Sequence, residues 1–471
     1  MPGIIAYGAY LPYNRLKREA IGAALGAPGG SGTRTVASYD EDATTMGAEA
    51  ARAALASLPG PVEIGSLVLA TTSPAYLDKT NATAIHAALG LDAAVSTADA
   101  LGAVRSGVGA LRSALHSDET SLVVLSDVRT GLPGSADERD GGDGAVALVV
   151  GPDEGSIATF LGGASATTEV LERWRVPGED SSRVWEERFG EHAYVPLAEQ
   201  AFNDALKKTG VVAGEIDHLV LTGTHARTLR SVARATGARP EAFVDDLSKT
   251  VGNTGAAHPG LLLASALERA KPGETIALLV VADGAEVLLF RATDAIATYQ
   301  AASTIASLVA EGNDTIDYPK YLTWRGLLRR EPPRRPDPLS PEAPPSFRYE
   351  GWKYAFCGSK CDDCGTVHLP PQEVCASCSA VRRMSPVPMA DVRATIATYT
   401  IDRLAFSQNP PSVFAVIDFE GGGRFRCEMT DVDPDAVAIG DKVEMTFRRI
   451  FQASNGVVNY FWKARPTRGG E

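Results

Sequence analysis

Along the first 295 positions, nearly continuous apolar runs alternate with stretches whose apolar residues recur every three or four positions. The runs at 3–12, 64–70, 121–126 and 144–150 read as strands covered on both faces by helices. Between them, residues 46–55 are alanine-rich and helical in pattern, with Asp40, Glu41 and Asp42 placed to favour the positive end of that helix. A short helix is expected after Arg15, and another ends at 85–89. Val104, Val108, Leu111 and Leu115 recur at spacings of four, three and four, which predicts a buried helix opening straight out of a tight turn of small residues. The pattern then repeats, with helical spacing over 197–206, a strand at 216–221, a helix at 255–267 and a strand at 275–282. The first set closes on Asp143-Gly144-Ala145 ahead of an apolar run, and the second closes on Asp283-Gly284-Ala285 ahead of another. That shared position predicts an internal duplication, with halves at about 1–165 and 166–295.

Beyond residue 317 the pattern changes. Tyr318, Tyr321, Leu322, Trp324, Leu327 and Leu328 make an apolar stripe, and Arg325, Arg329 and Arg330 lie beside it. The proline-dense run at 332–345 reads as an extended, semi-rigid connector. This arm, over 315–347, is expected to dock on its own chain or on a partner. Five short runs at 392–400, 413–418, 424–429, 442–448 and 457–462, with Gly-rich turns, suit an OB-type barrel over 386–466.

A chain of 471 residues is too long for one ordinary core and fits two or three domains. Its 44% hydrophobic and 22% charged content describes an ordinary soluble protein. A net charge of −13 argues against a general nucleic-acid binder and against attraction to an anionic membrane. No apolar run approaches the roughly 20 residues that span a bilayer, and the N-terminus lacks a basic region ahead of a hydrophobic one. A cytoplasmic location is therefore expected.

All six cysteines fall after residue 356. Cys361 and Cys364 form one C-x-x-C knuckle and Cys375 and Cys378 a second, the spacing of a four-thiolate zinc ribbon over 348–385. A closed four-sulfur shell leaves no position for water, so the zinc is expected to be structural. Cys357 and Cys427 lie outside that spacing and read as ordinary buried thiols. An OB barrel also raises a nucleic-acid-binding module as a remote alternative, which the acidic charge and the sparse basic and aromatic residues on its strands oppose.

The helix predicted at Val104 aims unpaired N–H groups and a positive dipole end at whatever precedes it, which favours an anion or a developing oxyanion. Set against a cysteine-x-x-Gly-x-Ala-Ala pattern, Val104-Arg105-Ser106-Gly107-Val108-Gly109-Ala110 resembles the thiolase-fold condensing enzymes, closest to their hydroxymethylglutaryl-CoA synthase and ketoacyl-ACP synthase III branch. The resemblance puts Val104 where the nucleophilic cysteine belongs, and residues 1–356 contain no cysteine at all. Ser106 is the nearest hydroxyl, in a turn already crowded with small residues. Gly223-Thr224-His225-Ala226-Arg227 and Gly252-Asn253-Thr254-Gly255-Ala256-Ala257 are similar to the family's histidine and asparagine motifs. By that resemblance His225 and Asn253 bind the thioester oxygen and stabilise an enolate, while Ser106 and Gly255 contact substrate. Thr72 stands where the synthase branch carries a glutamate general acid, which argues against hydroxymethylglutaryl-CoA synthesis. Ser126-Asp127 and Gly142-Asp143-Gly144 match positions near the site, although the acidic stretch of Asp127, Asp137, Glu138, Asp140 and Asp143 reads as a solvated loop. The segments at 169–178 and 184–190 look like an insertion found in the synthases, or an aromatic-anchored surface loop.

The arm, ribbon and barrel together resemble the zinc-ribbon OB-fold domain that accompanies thiolase-fold proteins in acyl-CoA metabolism. The expected fold is thus α/β, a duplicated thiolase-like fold of two stacked α/β halves, followed by a C-terminal zinc ribbon and an all-β OB-fold barrel. The resemblance implies a coenzyme A thioester as substrate or ligand, a homodimer and/or a thiolase-type protein partner, and no nucleic acid or membrane. It implies an acyl-CoA-binding component of a carbon–carbon bond-forming or bond-cleaving system, or alternatively an autonomous non-covalent lyase or acyltransferase using His225 and Asn253.

Overall fold

The apolar runs of the first 295 residues become strands of one nine-stranded mixed sheet, joined by two strands the pattern did not predict, Ser96–Leu101 and Ala158–Ala166, in the computed structural model, which describes residues 2–468 except 153, 335 and 337. In chain order these are β1 (Pro2–Tyr10), β2 (Ser66–Thr71), β3 (Ser96–Leu101), β4 (Ser121–Asp127), β5 (Gly144–Pro152), β6 (Ala158–Ala166), β7 (His218–Gly223), β8 (Thr275–Val281) and β9 (Ala285–Ala292). Their spatial order is β7-β8-β9-β6-β1-β5-β4-β2-β3.

The duplication is visible in the pairing. Within the first half β1–β5 and β5–β4 are antiparallel and β4–β2 parallel, and the second half repeats this as β6–β9, β9–β8 and β8–β7. The counterpart of β3 shrinks in the second half to one parallel bridge between Leu219 and Phe243. The two halves join through antiparallel pairing of β1 with β6, at Gly3 with Thr159 and Ile4 with Ala158. β4 and β8 are buried at every position, as continuous apolar runs demand.

Each half sends a helix into the core, ahead of β4 in the first half and ahead of β8 in the second. Helix α1 (Arg105–Ala114) precedes β4 and buries Gly107, Val108, Ala110, Leu111 and Ala114. Gly107 is required there, since a Cβ would sit 2.1 Å from the carbonyl oxygen of Ala256. The second-half helix His258–Leu267 is buried along its whole length and is apolar all round, as a central helix must be. The helical spacing read at 197–206 is part of a longer helix, α2 (Glu187–Thr209), that continues past Pro196. A further helix, α3 (Ala226–Ala235), follows β7 directly.

Most of residues up to Tyr318 form one compact unit. A second unit comprises Pro319–Glu471 together with two short segments, Ser38–Ala48 and Thr83–Asp92. Its ribbon has three strands, β10 (Cys357–Cys361), β11 (Val367–His368) and β12 (Met384–Pro388), with β10 central. Its barrel is closed by five strands, β13 (Ala394–Asp402), β14 (Ser412–Phe419), β15 (Arg424–Met429), β16 (Lys442–Gln452) and β17 (Val458–Pro466), in the order β13-β14-β15-β17-β16. The fully buried Phe356 ring lies within about 6 Å of the rings of Trp352, Phe419, Phe425 and Trp462, filling the barrel's apolar end. Within this unit the arm docks on its own chain: Tyr321 is fully buried, and Trp324 Nε1 donates to the carbonyl of Gln408 (3.0 Å).

Buried cations on the barrel strands β16 and β17 correct one sequence expectation. Asp42 does cap a helix start, its Oδ1 accepting from Thr45 N–H (2.9 Å). Asp40 and Glu41 do not; they turn onto the barrel's buried Arg448 and Lys463. Asp40 pairs with Lys463 (3.0 Å) and Arg448 (3.7 Å), Glu41 with Arg448 (2.5 Å), and Asp431 with Arg448 (2.7 Å). Charges this deeply buried persist only when paired, and pairing with two barrel cations outweighs a few tenths of a kcal/mol from a helix dipole. Among the described residues no helix is long and apolar enough to cross a membrane.

Candidate active site

The turn after β3 delivers Val104 to the N-terminus of α1, with its own backbone already helical (φ −58°, ψ −37°). Amides of a first helical turn lack intrahelical acceptors, so this end carries partial positive charge. The Val104 side chain, 9% exposed, lines a cavity of about 90 Å³ together with Thr72, Arg129, Glu172, Thr224 and Asp283. The residue after Val104 fixes one wall of that cavity. Arg105 Nη1 donates to the carbonyl of Asp283 (2.6 Å), and its Nη2 pairs with Glu286 (3.3 Å). Asp283 is thereby held at φ +47°, a conformation uncommon for a non-glycine residue. Burial pushes the Asp283 carboxyl above its ordinary value, against the pull of Arg105.

His225 follows β7 and is nearly buried. Its Nε2 lies in close contact with Glu172 Oε1, and the other oxygen of Glu172 accepts from the Tyr194 hydroxyl (3.3 Å). The Tyr194 ring stacks on the imidazole at 6.3 Å between centroids. Burial, then the neighbouring Glu172, pushes the Tyr194 phenol well above its ordinary range, so it stays a donor. The Asn253 amide is committed to backbone: Nδ2 donates to the carbonyl of Gly223 (2.9 Å), and Oδ1 accepts from Gly255 N–H (2.9 Å). Asn253 lines a second, larger cavity of about 410 Å³, alongside Gly223, Thr224, Arg18, Arg230 and Lys249. Thr224, Arg129 and Arg173 line both cavities. His258 also faces the larger one, and burial lowers its pKa to about 4, so it is neutral at neutral pH.

Ser106 and Gly255 line neither of these cavities. Ser106 Oγ reaches the carbonyl of Leu101 at 3.4 Å. Gly255 has φ +59°, and a Cβ there would sit 2.2 Å from Asp127 Oδ2. Its smallness lets a carboxylate approach the backbone.

That carboxylate belongs to the acidic stretch expected to be a solvated loop, and the structure overturns the expectation for three of its five residues: Asp127, Glu138 and Asp143 are completely buried, while Asp137 is half-buried and Asp140 exposed. Supplied donors explain it. Asp127 accepts from Thr72 N–H (2.8 Å), Thr72 Oγ1 (2.9 Å), Ser73 Oγ (3.1 Å) and Ala256 N–H (2.9 Å). Asp143 accepts from Ala37 N–H (2.7 Å) and Arg129 N–H (2.8 Å) and pairs with the buried Arg34 (3.4 Å). The result is a rigid frame that carries Arg129 and Thr72 to the cavity, with Arg129 Nη1 donating to Thr72 Oγ1 (3.2 Å). Burial lowers the Arg129 pKa, opposed by Asp127.

Glu172 is the functional candidate that sequence reasoning missed. It lies in the insertion between the halves, where Glu172-Arg173-Trp174-Arg175 sets three charges around one indole. Arg173 pairs with Asp137 through both nitrogens (2.9 and 2.7 Å), and Arg175 donates to the carbonyl of Thr72. Alternating acidic and basic residues around the Trp174 indole were the available signal.

In the second unit, the ligand sulfurs of Cys361, Cys364, Cys375 and Cys378 all lie within 4.8 Å of one another. Two of the separations are 3.6 Å, between Cys361 and Cys378, and 3.5 Å, between Cys364 and Cys375. Tetrahedral zinc with Zn–S bonds of about 2.3 Å needs sulfurs about 3.8 Å apart, so the donor set and its spacing fit that ion.

Comparison with known proteins agrees with this architecture. Residues 206–288 match the 3-oxoacyl-[acyl-carrier-protein] synthase III C-terminal family, residues 354–382 the ChsH2 rubredoxin-like zinc ribbon, and residues 386–448 the ChsH2 C-terminal OB-fold. The hydroxymethylglutaryl-CoA synthase of Aeropyrum pernix is 30% identical over 341 residues, covering 69% of this chain and 94% of that protein. The synthase of Thermococcus gammatolerans is 29% identical over 68% of this chain and 93% of its own length. Among solved structures, MvaS in complex with 3-hydroxy-3-methylglutaryl coenzyme A has a TM-score of 0.60 at 20% identity, covering 72% of this chain and 94% of that chain. The Aquifex aeolicus 3-oxoacyl-[acyl-carrier-protein] synthase III has a TM-score of 0.54 at 23% identity, covering 62% and 100%. The chain thus belongs to the hydroxymethylglutaryl-CoA synthase family of thiolase-fold condensing proteins, with a ChsH2-type zinc ribbon and OB-fold joined after its condensing domain.

Proposed function

We propose that this protein binds coenzyme A thioesters in the Val104 cavity, serves a carbon–carbon bond-forming or bond-cleaving system without an acyl-enzyme of its own, and acts with a thiolase-type partner. One observation carries the reading. The side chain at the head of α1 that faces the cavity is a valine, in a chain with no cysteine before residue 357. Valine offers no lone pair to a carbonyl, so the covalent half of condensation must come from elsewhere or be bypassed. The larger cavity supports the ligand class, because Arg18, Arg230 and Lys249 on its wall suit a polyanionic phosphate tail. Solved relatives were captured with 3-hydroxy-3-methylglutaryl coenzyme A and with CoA. The ribbon holds a structural zinc ion.

The alternative, a chain that does its own non-covalent chemistry, is favoured by the buried pairing of His225 with Glu172, which a passive binding domain has no need to maintain. Native mass spectrometry and calorimetry of the purified chain with acetyl-CoA, followed by turnover assays with and without a thiolase, test both readings. Tight reversible binding with no mass adduct is expected. A covalent acyl adduct, or no binding, refutes the proposal.

A further inference from the structure

We infer that Glu172 is the acid–base group of this site and takes the proton on the carbon α to the thioester carbonyl of a bound acyl-CoA. The inference rests on the reading above and adds the residue that does the chemistry.

Glu172 lines the same cavity as Val104, yet the residue is only 1% exposed, so what it offers is aimed inward. One of its oxygens accepts from the Tyr194 hydroxyl (3.3 Å) and the other lies against His225 Nε2, which holds the carboxylate in place while leaving lone pairs for a ligand. Other polar groups on the cavity are less suited to be the base. The Thr72 hydroxyl is spent on Asp127, and Arg129, Arg173 and Arg175 are cations. Asp283 is the one further carboxylate on this wall. Asp283 is exposed, whereas Glu172 is buried against His225 and Tyr194, so Glu172 is the carboxylate built into the cavity wall. Asp283 is also the strained residue of the site, at φ +47°, and strain of this kind persists where the surroundings enforce it.

In the proposed step the C–H bond breaks, its proton passes to a Glu172 oxygen, and its electron pair moves into the C–C bond as the carbonyl becomes an enolate oxyanion. The cationic guanidinium of Arg129 and the positive end of α1 border the cavity where that charge develops. Reversal returns the proton, or a deuteron in heavy water, to carbon. No oxidant or second substrate is consumed. His225 and Tyr194 are positioning residues that act through Glu172.

The test is hydrogen–deuterium exchange at the α-carbon of acetyl-CoA and propionyl-CoA in heavy water, followed by NMR on the full chain, with calorimetric binding measured in parallel. The wild type is expected to exchange the α-protons. Glu172→Gln should keep Kd within threefold and lose at least about 100-fold in exchange rate, the low end for a positioned base, while Glu172→Asp should recover part of it. His225→Gln should lower the exchange rate at saturating acyl-CoA while leaving Kd within threefold, the split expected of a residue that acts through Glu172. Binding without exchange, or exchange in Glu172→Gln within threefold of wild type, overturns this inference and leaves the ligand reading standing. No binding by the wild type overturns both.

Discussion

Replacing Asp40 by Asn isolates the buried ion pairs made with the barrel's Arg448 and Lys463. Asp40 is fully buried, 3.0 Å from Lys463 Nζ and 3.7 Å from Arg448 Nη1, with Ser38 Oγ donating to it as well. At an effective dielectric of about 20 these two contacts are worth roughly 5.5 and 4.5 kcal/mol before desolvation, which costs several kcal/mol per ion. Removing one partner of a buried pair typically costs about 3–5 kcal/mol. The low end applies here, because Lys463 keeps Glu428 (3.1 Å) and Arg448 keeps Glu41 and Asp431. A loss of about 3 kcal/mol lowers the melting temperature of a unit this size by roughly 6–12 °C. Calorimetry gives the total, and amide exchange over β16 and β17 assigns it to the barrel.

The acid limb supplies a second check. Burial acts to raise the Asp40 pKa, but Lys463 and Arg448 outweigh it and hold the carboxyl well below the usual carboxylate range. Its contribution is therefore complete above the unfolded pKa of about 3.9 and fades as pH falls toward the folded value. The gap between wild type and Asp40→Asn should thus narrow below about pH 4. Adding Lys463→Met to Asp40→Asn should restore part of the loss, since an apolar residue replaces a charge left short of partners. A single variant within about 1 kcal/mol of wild type, or a double variant no more stable than the single, would sink the argument.

Two other predictions concern the sulfur chemistry. The purified chain should carry one zinc ion, and Cys375→Ala should abolish it while raising amide exchange across β10–β12, since Cys375 is a buried member of the four-sulfur cluster; full zinc retention in that variant refutes the ligand set. Val104→Cys should create a thiol that iodoacetamide alkylates at least about tenfold faster than Cys357, because a helix N-terminus lowers a thiol pKa whereas burial pushes Cys357 up. Incubated with acetyl-CoA, that variant should show an acyl adduct that the parent does not; its absence would mean that the cavity does not admit a thioester to α1.

The architecture was legible because it is written in local periodicity: continuous apolar runs for buried strands, spacings of three and four for helices, and knuckle spacing for the metal cluster. Where a residue's role depends on who approaches it from far along the chain, the sequence was silent. Asp40 and Glu41 look like helix-dipole residues until Arg448 and Lys463, some 400 positions on, arrive beside them. Asp127 and Asp143 look solvated until Thr72, Ala256, Ala37 and Arg129 bring their donors. Glu172 had no periodic context, and only the fold sets it against His225. Acidic residues are the worst read by pattern, since a carboxylate's burial is decided by donors it does not itself encode.

The same reasoning bears on what the valine does to the site. A thiolate at the head of α1 would neutralise the partial charge of roughly half an elementary unit that a helix N-terminus carries. Val104 leaves that charge unspent at a cavity wall that also bears Arg129. A cavity so polarised disfavours a neutral occupant and rewards one whose oxygen turns negative, which an enolised thioester does and a ground-state thioester does not. Under the proposed function the valine and the buried carboxylate therefore point the same way: the positive end of α1 is available to an oxygen anion, and Glu172 lines the cavity where that anion would form.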